Sequence, residues 1–183
     1  LPWDLKNWIS DINFLKKKYP FCDNGCEVHR GFMEDYEDIQ DAVLAHVKNY
    51  TALFKKPYLF VTGHSLGGAL STHAVAHLLA KGIKVHKYYS LGSPRVGDAK
   101  FHEWFNRVNN KTFVARITHH KDWVPHVPFE EWGFQHLNNE VSGVGCRYSI
   151  TRPSRNSKCA MTVERIILAL TNTHNMKICR TVT

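Results

Sequence analysis

The segment of this sequence that could carry out covalent chemistry is Gly63-His64-Ser65-Leu66-Gly67, a G-x-S-x-G run that continues into Gly68. A serine hydroxyl becomes a reactive nucleophile when a strand turns sharply into a helix, because the turn lifts the side chain clear of the sheet and only small neighbours tolerate the crowding. The flanking residues fit that geometry. Tyr58 to Thr62 is a β-rich, nearly continuous apolar run, as in a strand covered on both faces. Ala69, Leu70, Ala74, Val75 and Leu78 recur at helical spacing up to Gly82. At the head of that helix the Leu66 N–H is placed to donate to the oxyanion formed when Ser65 attacks a carbonyl. A glycine turn with no chemistry is the weaker reading, since strand, turn and helix all stand where the motif needs them.

A serine also needs a histidine to take its proton and an acid to orient that histidine. On a sheet of this kind the chain order is serine, acid, histidine, and the acid follows the end of a strand. Asp122 follows the strand expected at 112–118 and precedes Val124-Pro125, so it is the candidate acid. Asp98 competes, but its place before Ala99-Lys100-Phe101 is that of a helix N-cap. Of the twelve histidines only His126, His136 and His174 lie beyond Asp122. His126 belongs to the same loop. Position alone leaves His174 and His136 both open as the base, with His174 favoured because it follows an expected helix and sits in a loop.

These residues require a scaffold of alternating strands and helices. Ile39, Val43, Val47, Tyr50 and Phe54 mark one amphipathic helix over 34–55, ending before Pro57. Residues 85–91 read as a strand, Asp98 to Val108 as a capped helix and 112–118 as another strand. The alternation implies an α/β fold with a mainly parallel sheet. After Thr118 the pattern weakens into a Pro-rich loop, short strands within 133–150 and a helix near 161–170. At 183 residues and 43% hydrophobic content the chain suits a single domain.

Charge and cysteine usage narrow the setting. A formal net charge of +8 raises nucleic-acid binding, but the basic residues are scattered apart from Lys16-Lys17-Lys18 and no nucleic-acid-binding motif accompanies them. Attraction to anionic lipid headgroups, or simple solubility, fits better. No apolar run reaches the roughly 18 to 20 residues of a membrane-spanning helix. The five cysteines suggest an oxidising compartment, with Cys22 paired to Cys26, Cys146 to Cys159, and Cys179 left to seek a partner elsewhere. Their spacing does not suit a zinc site, and no metal or cofactor is expected. Two sequons, Asn49-Tyr50-Thr51 and Asn110-Lys111-Thr112, are consistent with secretion.

Four segments together carry a family resemblance: Val28-His29-Arg30-Gly31-Phe32, the run Gly63 to Gly68, Gly92-Ser93-Pro94-Arg95-Val96-Gly97-Asp98, and Asp122 to Pro128. In order and spacing they resemble the class 3 lipases, the fungal Rhizomucor and Thermomyces type, from about Asn7 to Cys179. The resemblance implies an α/β-hydrolase fold and triacylglycerol lipase activity through Ser65, Asp122 and His174. His136 matches a family position that is not catalytic. The C-terminal disulfide loop of the family corresponds to Cys146 and Cys159, and Cys179 to a half-cystine that reaches the N-terminal region. Thr173 and Asn175 stand where members often have an acidic residue and leucine.

At the N-terminus, Leu5, Trp8, Ile9 and Ile12 share one apolar face. An ordinary surface helix is one interpretation. The resemblance implies another, a lid over Ser65 formed within 1–15, with Trp3 beside that face and Asn7-Trp8-Ile9-Ser10-Asp11 matching the family's lid pattern. On that view the N-terminal strands and the second oxyanion donor lie outside this sequence, and a separate N-terminal fragment of the same precursor is an expected partner. The other expected partners are an acylglycerol substrate and a transient lipid or membrane surface. Competing functions are a feruloyl-type or other carboxylesterase of the same fold, and a catalytically silent lipid-binding relative.

Overall fold

The computed structural model describes residues 14–23, 25–109 and 111–143. It opens with an antiparallel ribbon of β1 (Lys16–Lys18) and β2 (Glu27–His29), in which Lys16 faces His29. The Cys22–Cys26 disulfide ties the connecting turn, as their close spacing led us to expect. Helix α1 (Arg30–Glu37) follows directly, and the His29 ring caps it by accepting a hydrogen bond from the Phe32 N–H at 3.2 Å.

The next helix, α2, spans Gln40–Leu53. The single helix expected over 34–55 is therefore two, broken at Asp38 and Ile39. Met33, Tyr36, Ile39 and Val43 keep helical spacing straight through the junction, so periodicity alone cannot reveal it. The backbone does: Asp38 N–H closes α1 on Glu34 O at 3.3 Å, Ile39 N–H returns to Tyr36 O at 3.1 Å, and Val43 N–H begins α2 on Ile39 O at 3.0 Å.

The remaining elements are β3 (Phe60–His64), α3 (Leu66–Ala80), β4 (Lys87–Leu91), α4 (Ala99–Val108), β5 (Phe113–His119) and β6 (Glu140–Gly143). The four strands form one parallel sheet in the order β3-β4-β5-β6, with Phe60 level with Lys87 and Lys87 with Phe113. Strand boundaries fall within about two residues of those expected. Asp98 caps α4 as expected, accepting from Phe101 N–H at 2.7 Å. No helix among the described residues is long and apolar enough to cross a membrane.

Helix α3 is the centre of the molecule. Every residue from Gly68 to Leu78 is buried, with the sheet on one side and α1 on another. Its polar side chains are satisfied internally, Ser71 Oγ donating to Gly68 O at 2.8 Å and Thr72 Oγ1 meeting the Tyr88 hydroxyl at 2.7 Å. His73 is the exception: it is fully buried near Tyr19, Tyr36 and Phe101, and neither ring nitrogen has a hydrogen-bond partner among the described residues. Desolvation, reinforced by His29, pushes its pKa down to about 3.

A histidine that stays neutral when folded but protonates when unfolded makes stability depend on pH. Between the unfolded pKa of about 6.5 and the folded value the unfolded chain binds more protons, so stability falls as pH falls. The urea midpoint is therefore expected to decline as pH is lowered from about 6.5 toward 3, and His73→Phe should flatten that decline. Identical pH slopes for the two proteins would refute the assignment.

Candidate functional site

The site is assembled at the C-terminal ends of β3, β4 and β5, where a parallel sheet presents its loops. Ser65 joins β3 to α3 with φ 54° and ψ −126°, a conformation that L-residues adopt only when the surroundings impose it. Three backbone bonds impose it here. Ser65 N–H donates to Leu91 O at 2.9 Å, and Ser65 O accepts from Gly68 N–H at 2.8 Å and Ala69 N–H at 3.3 Å. Glycine at 63 is required by contact, because a Cβ there would collide with the Gly67 carbonyl and lie 2.8 Å from Ser71 Oγ. The Ser65 hydroxyl is buried and has no hydrogen-bond partner among the described residues. Leaving a buried hydroxyl unpaired costs about 1–3 kcal/mol, so packing alone does not account for it.

Leu66 is the first residue of α3, and its N–H has no carbonyl one turn earlier within the helix to bond. That N–H adds to the positive end of the helix dipole immediately after the serine. Asp122 enters from the end of β5, through a turn in which its N–H donates to His119 O at 2.9 Å. Its Oδ1 accepts from Val124 N–H at 3.1 Å, and the chain continues as a tight 3-10 turn over Val124–His126.

The loop after β4 brings serine and acid into one neighbourhood. Leu91 O holds Ser65 N–H, and the next residue, Gly92 (φ 53°), faces the acid so closely that a Cβ would lie 2.7 Å from Asp122 Oδ2. A side chain at 92 would therefore displace the carboxylate. Asp122 also borders an open polar cavity of about 660 Å³ that His119, His126 and His136 help to line.

His136 is positioned for another task than proton shuttling. Its Nε2 donates to Pro125 O at 2.7 Å, and burial, with Arg116 nearby, pushes its pKa down to about 3. A ring whose proton is committed to a carbonyl is a poor base for Ser65. His174 lies outside the described residues, as do Trp3, Leu5, Trp8, Ile9, Ile12, Cys146, Cys159 and Cys179. Among the described residues no group of three or more His, Cys, Asp and Glu side chains is arranged to hold a metal ion.

The same elements recur in known proteins. The family described as lipase (class 3) matches residues 3–132. The secreted mono- and diacylglycerol lipase A of Penicillium cyclopium is 32% identical over 152 residues, covering 83% of this chain and 46% of that protein. The native Rhizomucor miehei lipase propeptide complex superposes with a TM-score of 0.70 at 31% identity, over 75% of this chain and 45% of the other. A solved triacylglycerol lipase whose catalytic centre is described as a serine protease triad gives a TM-score of 0.69 at 31% identity, over 75% and 52%. The chain thus spans about half the length of the relatives it matches. The parallel sheet with its flanking helices is part of an α/β-hydrolase fold, as in those solved lipases. A family match across more than half the sequence, joined to a shared fold at about one-third identity, places this chain in the class 3 lipase family.

Proposed function

We propose that this chain carries the nucleophile and the acid of a secreted lipase that cleaves carboxylic esters of acylglycerols. The observation that carries the proposal is Ser65, held at positive φ with a buried hydroxyl that has no partner among the described residues, in a loop neighbourhood shared with Asp122. Ser65 Oγ attacks the ester carbonyl while His174 takes its proton and Asp122 orients the imidazole and offsets its charge. Leu66 N–H donates to the oxyanion of the tetrahedral intermediate. Collapse of that intermediate breaks the bond to the alcohol, which leaves with the proton from His174. Water, deprotonated by the same histidine, then cleaves the acyl-enzyme and restores Ser65. This acyl transfer draws on no metal or cofactor.

Acylglycerols are the proposed substrates because relatives named as mono- and diacylglycerol lipases match along most of this chain. Their description as secreted, together with the Cys22–Cys26 disulfide, supports an extracellular setting. The lid read from Trp3, Leu5, Trp8, Ile9 and Ile12 belongs to the same proposal, as the part that meets lipid.

A fluorophosphonate ester tests the chemistry directly. The native protein is expected to gain one adduct, located on Ser65 by peptide mass spectrometry, and Ser65→Ala is expected to gain none. A folded native sample that stays unlabelled would overturn the proposed hydrolase.

A further inference from the structure

We propose that Arg95 is a positioning residue for Asp122, acting through the loop that the acid begins; this rests on the acyl-transfer mechanism above. The loop has an unusual need for outside donors. Pro125 and Pro128 contribute carbonyls but no N–H groups, so the stretch between them has few donors of its own. All four consecutive carbonyls are nevertheless bonded. His136 Nε2 donates to Pro125 O at 2.7 Å. Arg95 serves the other three: Nη1 donates to His126 O at 2.6 Å and to Pro128 O at 2.9 Å, and its backbone N–H donates to Val127 O at 2.9 Å. Nη2 adds a charged bond to Glu130 Oε1 at 2.7 Å.

Arg95 is only 8% exposed, while the Glu130 carboxyl that faces it is mostly in solvent. A guanidinium taken out of water against one exposed carboxylate is an expensive choice for stability alone. What it supplies is geometry, since a rigid fork with several donors can span neighbouring carbonyls where an ammonium cannot.

The connection to Asp122 runs through both ends of one loop pair. Arg95 lies three residues after Gly92, whose Cα faces Asp122 Oδ2, so the β4–α4 loop touches the acid at one point and grips the chain beyond it at the other. Asp122 Oδ1 is itself tied to Val124 N–H, next to the gripped stretch. Removing the fork leaves the bond to Val124 N–H, the turn bonds within 123–127, the His136 bond, the Arg95 backbone bond and the turn at His119 to hold the acid, and lets the 126–130 stretch shift. Displacement of a catalytic group by about 1 Å costs on the order of 10²-fold in rate.

The test uses Arg95→Met and Arg95→Lys in the native protein, with rates normalised to active sites titrated by fluorophosphonate so that misfolded material does not count. Arg107→Met, which removes an exposed arginine paired with Asp23 outside this loop, is the comparison. Arg95→Met is expected to lower kcat by on the order of 10²-fold with little change in KM. It should also move the acidic limb of the kcat/KM profile to lower pH, because a displaced carboxylate no longer favours the imidazolium. Arg95→Lys should lie between Arg95→Met and wild type, and Arg107→Met should match wild type. Loss of titratable sites with unchanged kcat per site and an unmoved limb would show a purely structural role and overturn the inference. An unlabelled native protein would overturn the hydrolase mechanism itself, a separate result.

Discussion

Ser65→Ala is expected to lower kcat for ester hydrolysis by on the order of 10⁶-fold while leaving the fold intact. The loss is large because the remaining groups act only through the nucleophile: with no Oγ there is no acyl-enzyme, and Leu66 N–H has no Ser65-derived oxyanion to stabilise. Stability should not follow activity down. The hydroxyl makes no hydrogen bond among the described residues, and the backbone bonds that hold residue 65 do not involve it, so the substitution leaves the scaffold of the turn in place. The stability read from urea unfolding is expected to stay within about 1 kcal/mol of the native value. Hydrolysis of an acylglycerol by Ser65→Ala within tenfold of the native rate would refute Ser65 as nucleophile.

Asp122→Asn is expected to reduce kcat by on the order of 10⁴-fold. This substitution keeps the shape of the site, since an asparagine Oδ1 can still accept from Val124 N–H at the 3.1 Å seen for aspartate. The amide nitrogen then occupies the position of Oδ2, next to Gly92, and presents a donor where the imidazole needs an acceptor. The histidine turns to its other tautomer, in which the nitrogen facing Ser65 already carries a proton. The urea midpoint should hardly move, which separates a tautomer effect from local unfolding. Steady-state kinetics on a soluble short-chain ester would measure it, and a loss under tenfold would remove Asp122 from the triad.

Sequence reasoning singled out these two residues as candidates because each leaves a mark in residue type. A strained strand-to-helix junction demands glycine at 63, and an acid just past a strand end and before Val124-Pro125 stands where the chain order of such a site puts it. Cys22 and Cys26 were legible for the same reason, being four residues apart with few alternatives. The break between α1 and α2 was not legible, because Met33, Tyr36, Ile39 and Val43 carry one helical period across it and a change of direction leaves that period intact. His136 remained open by position and is distinguished by one bond, to Pro125 O.

Arg95 was hidden in a different way. It stood in the sequence as one letter of a family-like run, and three of its four partners in the Asp122 loop are backbone carbonyls, which every residue type provides. Apart from the exposed Glu130, the side chain recognises main chain and leaves no complementary residue to notice. Only the folded loop, with prolines at both ends of the gripped stretch, shows why a guanidinium is buried there.

The burial of α3 has a temporal consequence. Its amide hydrogens from Gly68 to Leu78 are shielded on all sides, so they should exchange with solvent only when the whole domain opens, and Ser65 is anchored to that slowest element. Asp122 is held by a loop outside the sheet and helices, fastened by separate hydrogen bonds from Arg95 and His136 rather than by a continuous ladder. On warming, the acid should therefore lose its alignment while the nucleophile is still in place, and catalysis should fade over a temperature range in which the core remains closed.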